Sequence, residues 1–308
     1  MRICSLLPSA TDIVFALGLG DQLVAITHEC DVPAGAPSVP VITKSTVAKA
    51  RRNSREIHNH VMATMHRGSS LYALDQDLLE RLDPELILTQ ELCEVCAISY
   101  QEVTAAVHRL EVRLPDQRRV LSLEPHRLGD ILTIIEQVGQ AAGVPERAQQ
   151  LVCELQQQLA QITAVTRRVA VRPRVYAMEW LDPPYTAGHW VPEMIRLAGG
   201  DDALATEGGP SVELSWVQIA YYDPEVLILM PCSFSLKQTL EEWQALERPP
   251  RWSRLRAVQS GHVYAVNGAA YFSRSGPRTF AGLNILGEIL HPDLFPRTTP
   301  DDAWRRVG

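Results

Sequence analysis

Two α/β lobes joined by one long helix are the architecture that this 308-residue sequence predicts. Three observations carry it. Short apolar runs alternate with amphipathic stretches along the chain, the grammar of strands covered by helices. A near-repeat, Asp83-Pro84-Glu85-Leu86-Ile87-Leu88 and Asp223-Pro224-Glu225-Val226-Leu227-Ile228-Leu229, places the same turn-into-strand element in each half. Between the two copies, the run from Arg147 to Arg168 contains neither Gly nor Pro. At 1.5 Å per residue, a helix from Pro145 to Arg168 spans roughly 35 Å, enough to pass from one lobe to the other. The expected division is an N-terminal lobe over 1–143, a connecting helix over 144–168, a C-terminal lobe over 169–292 and a tail over 293–308.

The elements follow in order. Ile3 to Leu7 reads as a strand, and Ser9 as the cap of a helix over 10–18 that Gly18 and Gly20 stop. Leu23 to Thr27 is a second strand, followed by a polar loop, His28-Glu29-Cys30-Asp31. After an irregular stretch, helical periodicity returns over Ser54 to His66 and again over Asp75 to Arg81. Leu86 to Thr89 and Val120 to Leu123 are strands, and 127–142 is a helix ended by Gly143. Pro145 opens the connecting helix, as Pro suits a first helical turn. The second half repeats the pattern. Strands are expected at Arg174–Met178, Val226–Met230 and His262–Val266. Helices are expected at Trp190–Ala198, Ser235–Leu246 and Pro277–Leu290.

Composition narrows the function. Hydrophobic residues make up 46% and charged residues 21%, an ordinary globular balance. A net charge of −7 disfavours nucleic-acid binding, which needs a basic footprint. No apolar run reaches the roughly 18–20 residues of a membrane span, so membrane insertion is not expected. Pro8, Ser9, Thr11 and Asp12 interrupt the first apolar run before it could serve as a secretory signal. Six Cys form no disulfide framework. The expectation is a cytoplasmic protein, or a periplasmic one if its signal has been removed. The signatures of hydrolases, P-loop enzymes, dinucleotide binders and zinc proteases are missing from the sequence, which points to a protein that is not an enzyme.

In parallel sheets, ligands sit beyond the carboxyl ends of the strands, and the loops there carry a family resemblance. Ser5-Leu6-Leu7-Pro8-Ser9-Ala10-Thr11-Asp12-Ile13-Val14-Phe15-Ala16-Leu17-Gly18 resembles the opening of the iron-siderophore and vitamin B12 substrate-binding proteins of ABC transporters. Asp182-Pro183-Pro184-Tyr185-Thr186-Ala187-Gly188 resembles the cleft loop of the cobalamin-binding members. Tyr271-Phe272-Ser273-Arg274-Ser275-Gly276-Pro277-Arg278 resembles their last cleft loop, and Trp252, Leu255, Ala257, Val258, Gly261, Val263 and Tyr264 match the segment before it. The resemblance runs over roughly residues 2 to 292. It implies a class III periplasmic-binding-protein fold and non-catalytic binding of a corrinoid or related metal chelate in a cleft that changes little on binding. It also implies an ABC permease as partner, met by one acidic residue per lobe; Glu102 and Glu213 are the nearest candidates. Where the family presents tryptophans to the corrin, this chain has Glu91-Leu92-Cys93 and, in the other lobe, the neighbourhood of Ser211.

Trp180, Tyr185, Trp190, Tyr271 and Phe272 cluster in the C-terminal loops. Aromatic faces suit the flat centre of a corrin, and hydroxyls suit its amide fringe. The expected ligand-binding set is His28, Glu29, Trp180, Tyr185, His189, Tyr271, Phe272 and Arg274. His28 or His189 could occupy an axial position of a bound cobalt or iron, although a solvated loop histidine is the plainer reading. His28, Cys30, Cys93 and Cys96 form a second expectation, a soft four-ligand set for zinc or iron. That set carries the alternative function of a metal-binding protein or metalloenzyme. Buried packing is the competing reading for its thiols. His58, His60 and His66 share no zinc-helix face, and Arg51, Arg52 and Arg55 read as a solvated basic patch.

Overall fold

A computed structural model of the chain describes residues 1–31, 33, 38–45, 53–67, 71–90 and 119–308. The chain divides into two compact units. Unit 1 comprises Met1–Arg52, Glu56–Glu124 and Asp130–Cys153, and unit 2 comprises Asn53–Arg55, Pro125–Gly129 and Glu154–Gly308.

Unit 1 is built on a parallel sheet with strand order β2-β1-β5-β6. Its strands are β1 (Ile3–Ser5), β2 (Leu23–Ala25), β5 (Leu86–Thr89) and β6 (Arg119–Ser122). β1 and β5 are buried along their whole length, as expected of central parallel strands covered on both faces. Helix α1 (Pro8–Ala16) starts earlier than the sequence suggested. Its N-cap is Leu7, which offers no side-chain bond, and Pro8 occupies the first turn with its φ already set. Ser9 is therefore buried inside the helix rather than capping it. A separate antiparallel pair, β3 (Thr43–Ser45) with β4 (Tyr72–Leu74), was not legible in the sequence. Helix α2 (Ser54–His66) agrees with its periodicity, and α3 (Gln76–Leu82) is capped by Asp75, which accepts from the Leu78 N–H at 2.9 Å. Cys4, Leu6, Ala25, Ile42, Leu74, Leu79 and Ile87 pack into one core cluster. Helix α4 (Leu128–Ala141) leads into the 22-residue helix α5 (Pro145–Thr166). The division between the units falls within α5, after Cys153.

Unit 2 is a mixed sheet with order β11-β10-β9-β7-β8. The central strands β7 (Val175–Trp180), β9 (Val226–Leu229) and β10 (Val263–Val266) run parallel, and β8 (Tyr185–Thr186) and β11 (Trp304–Arg306) close the edges antiparallel. Helices α6 (Val191–Leu197), α7 (Trp216–Tyr222), α8 (Leu236–Ala245), α9 (Arg256–Gln259), α10 (Gly268–Tyr271) and α11 (Arg278–Leu290) complete it. Ser215 and Ser235 form full capping boxes with Gln218 and Gln238 at the starts of α7 and α8.

The segment 293–308, set apart by the sequence as a tail, supplies the edge strand β11. It is held by Glu288, which is 3% exposed. The Glu288 carboxylate accepts from the Thr298 and Thr299 N–H groups, from both hydroxyls and from the Trp304 indole, at 2.5–3.1 Å. These bonds draw the carboxyl below its ordinary range despite the opposing effect of burial.

The near-repeat is structural. Asp83 and Asp223 both end a seven-residue helix in the left-handed region, at φ 46° and 51°. Arg2 donates to the Asp83 carbonyl at 2.8 Å, and Arg174 to the Asp223 carbonyl at 2.8 Å. The backbone N–H of Arg2 reaches Glu85 Oε2 at 2.7 Å, and that of Arg174 reaches Glu225 Oε2 at 2.9 Å. The two arginines precede β1 and β7, so the same clasp locks the first strand of each unit beside its parallel neighbour.

Candidate ligand-binding site

In unit 2 the loops after β7, β9 and β10 are tied into one platform. The Cys232 N–H donates to the Glu179 carbonyl at 2.9 Å, and the Ser233 N–H donates to the Ser273 hydroxyl at 3.2 Å. Phe234 packs edge-on against Trp180, with ring centroids 5.6 Å apart. The loop after β10 can approach the loop after β9 because its first helical residue is Gly268, where a Cβ would lie 2.6 Å from the Pro231 carbonyl oxygen. Gly188 serves the same purpose beside Ser211, whose backbone N would lie 2.5 Å from an added Cβ.

Half-buried side chains from this platform include Trp180, Tyr185, His189, Tyr271 and Arg274. Trp180 donates its indole N–H to the Ser54 carbonyl at 3.2 Å. The segment Asn53–Arg55 belongs to unit 2, and Ser54 anchors it to Glu242 through its N–H at 2.7 Å and its hydroxyl at 2.5 Å. Arg55 pairs with Asp182 through both Nε and an Nη. Arg55 is exposed, as a solvated patch requires, and is also held in this ion pair; Arg51 and Arg52 lie outside the described residues. Tyr185 lies against Glu213, with 3.5 Å between the phenol and Oε2, and burial followed by that carboxylate raises the phenol. Glu213 is exposed, and Glu102 lies outside the described residues.

Phe272 and Trp190 hold a different position from these five. They are 3% and 7% exposed, and the Trp190 indole donates to the Phe272 carbonyl at 3.0 Å. They form the floor on which Tyr271 and His189 are presented. The resemblance grouped Tyr271 and Phe272 as one aromatic wall. They are adjacent in sequence, but only Tyr271 is partly exposed.

Glu179 escaped the sequence reading. Burial pushes its carboxyl upward, while bonds from Ser211 and from the Gly188 N–H at 2.8 Å oppose that shift. It braces the turn that carries His189. No local pattern marks this role, since its partners lie 9 and 32 positions away. His126, also missed, follows β6 and could have been found by inspecting every loop beyond a strand's carboxyl end. Its ring centroid lies 5.9 Å from that of His189.

In unit 1, His28, Glu29 and Cys30 follow β2. His28 Nδ1 meets the Thr43 hydroxyl at 2.7 Å, and its ring lies 5.7 Å from Tyr72. Glu29 Oε1 is 4.0 Å from His28 Nε2. The Cys30 sulfur lies 3.0 Å from the Thr11 hydroxyl and 3.2 Å from that of Thr27. Cys93 and Cys96, the other two members of the expected four-ligand set, lie outside the described residues. Among the described residues no group of three or more metal-ligating side chains converges. No helix among them is long and apolar enough to cross a membrane.

Comparison with known proteins agrees with this architecture. The profile of the periplasmic binding protein family matches residues 3–270. An uncharacterised ABC transporter substrate-binding lipoprotein, YvrC of Bacillus subtilis, is 25% identical over 96% of this chain and 81% of its own length. A vitamin B12-binding protein of Vibrio cholerae is 25% identical over 90% of this chain and 84% of its own. Among solved structures, the periplasmic heme-binding protein HutB of Vibrio cholerae superposes with a TM-score of 0.69 at 18% identity, covering 95% of this chain and 99% of its own. The periplasmic vitamin B12-binding protein BtuF of the same organism gives 0.64 at 23% identity, covering 94% and 96%. YvrC is described as a lipoprotein and HutB and BtuF as periplasmic, and these descriptions lend no support to a cytoplasmic placement. With the family profile covering most of the sequence and both units carrying the expected sheets, this chain belongs to the periplasmic binding protein family.

Proposed function

We propose that this chain is the substrate-binding component of an ABC importer, working outside the cytoplasmic membrane, and that its ligand is a corrinoid of the cobalamin type. The observation that carries the reading is the platform of unit 2. Tyr185, His189, Tyr271 and Arg274 are half-buried on connected loops, with Trp190 and Phe272 packed beneath two of them. Aromatic and hydroxyl surface on a pre-formed base suits a broad ligand with an apolar centre and an amide fringe. Sequence relatives named for vitamin B12 binding span 90% of the chain, including all of these loops. Binding in this reading requires no resident cofactor and breaks no covalent bond. The permease is the protein partner, and Glu213 is the exposed acid that would meet it from unit 2.

Haem is the nearest competitor, because several proteins of this fold bind it. A thermal-shift panel with cyanocobalamin, haemin and a ferric hydroxamate siderophore tests the choice. Ligand that binds only the folded state raises the melting temperature with concentration. The proposal expects a shift with cyanocobalamin and a smaller one or none with the others. A shift confined to haemin or to the siderophore would overturn the corrinoid assignment while leaving the transport role intact.

A further inference from the structure

His126 and His189 lie 63 positions apart in sequence yet stand with ring centroids 5.9 Å apart and planes inclined by 60°. Both segments that carry them are fixed. His189 sits in the left-handed region at φ 52°, which a non-glycine residue adopts only when its surroundings demand it. There its N–H donates to the Gly209 carbonyl at 2.6 Å, and its carbonyl accepts from Gly208 at 2.8 Å. The His126 segment is fastened on its other side. Leu128 N–H donates to Glu193 at 2.9 Å, and Arg127 reaches both the carboxylate and the carbonyl of Glu207, at 3.4 and 3.3 Å. Glu193 and Glu207 also hold Arg196, so these groups are occupied in structural pairs.

The side chain of His189 is not used in that scaffold. Its Nδ1 is buried and has no hydrogen-bond partner among the described residues. A buried imidazole nitrogen without a partner is costly, and in the tautomer with its proton on Nε2 the Nδ1 lone pair is open to a cation or an incoming donor. We propose that His126 and His189 form a two-imidazole clamp for a divalent first-row transition metal ion, the remaining coordination positions being filled by water or by an exogenous donor. Imidazole suits zinc, copper and nickel among such ions. Two imidazoles sharing one ion at bonds of about 2.0–2.1 Å place their ring centroids on the order of 5–6 Å apart, the separation seen here. This pair is distinct from the Cys30, Cys93 and Cys96 set, and the inference does not rest on the corrinoid reading.

The test is a titration of the full ligand-free chain with cobalt(II) chloride, followed by visible absorbance, in the wild type, His126→Asn and His189→Asn. Asn tolerates the left-handed region, so His189→Asn keeps the backbone that the position requires. The expected result is one bound equivalent in the wild type and at least tenfold weaker binding in each variant. The spectrum should lack the intense near-ultraviolet band of thiolate ligation. If His189→Asn does not fold, His126→Asn at its exposed position decides alone. Undiminished binding in a folded variant, a thiolate band, or no cobalt bound by the wild type would overturn the proposal.

Discussion

Trp190 donates its indole N–H to the backbone carbonyl of Phe272, 3.0 Å away and 82 positions later in the chain. Both side chains are buried. The bond joins the turn before α6, which carries His189, to the residue that follows Tyr271 at the end of α10. The exposed members of the platform are thus positioned by buried neighbours directly adjacent to them in sequence.

This division of labour separates two adjacent aromatic residues. Phe272→Ala should cost about 3–5 kcal/mol of stability, the usual penalty for emptying a buried Phe site. Tyr271→Ala should leave the melting temperature nearly unchanged and weaken cobalamin binding by about 1–3 kcal/mol. Chemical denaturation and calorimetry on the two variants check this. The same loss of affinity with no loss of stability in Phe272→Ala would put its ring at the ligand rather than under it.

Asp202 should make stability fall as pH rises. Burial raises its carboxyl to about 7, with Asp201 adding to the shift and backbone donors including Leu204 opposing it, and its Oδ2 has no partner among the described residues. Because the folded value lies above the unfolded one near 3.8, the folded state binds more protons between the two values. The contribution to stability is therefore present at low pH and lost as pH climbs towards 7. Asp202→Asn removes this dependence. Melting temperatures from pH 4.5 to 8 should show the variant gaining on the wild type as pH increases; parallel curves would refute the shift.

Glu288 works with the opposite sign. Its carboxyl is drawn downward, so its contribution is present above its unfolded value and declines as pH falls through the folded one. Glu288→Ala removes the acceptor shared by the Thr298, Thr299 and Trp304 donors, and losing hydrogen bonds to a charged group costs about 1.5–3 kcal/mol. The expected outcome is a destabilised unit 2 with β11 released, seen as early proteolysis between residues 293 and 303. Protease resistance equal to the wild type would show that the β10 pairing alone holds the strand.

Much of the fold was legible because its signals are local. The apolar runs at Ile3, Leu86, Val226 and Val263 became strands, and Ser54–His66 became a helix over the bounds that its periodicity gave. The Asp-Pro-Glu repeat announced a shared element, but not the Arg2 and Arg174 clasps that complete it from the neighbouring strand of each sheet. The losses were of another kind. The charged strand Trp304–Arg306 carries no strand signal, and its position depends on Glu288 in the preceding helix. At the site, Tyr185 and Tyr271 could be singled out from their motifs. The burial of Phe272, the brace from Glu179 and the nearness of His126 to His189 depend on contacts across many residues, which no spacing rule encodes.

The measurement closest to the central claim is a calorimetric titration of the full chain with cyanocobalamin, repeated with the Tyr185→Ala, Tyr271→Ala double variant. Corrinoid binding on the unit 2 platform predicts one saturable site in the wild type and a loss of at least tenfold in affinity in a variant that remains folded. No heat of binding in the wild type, or an affinity unaltered by removal of both tyrosines, would contradict it.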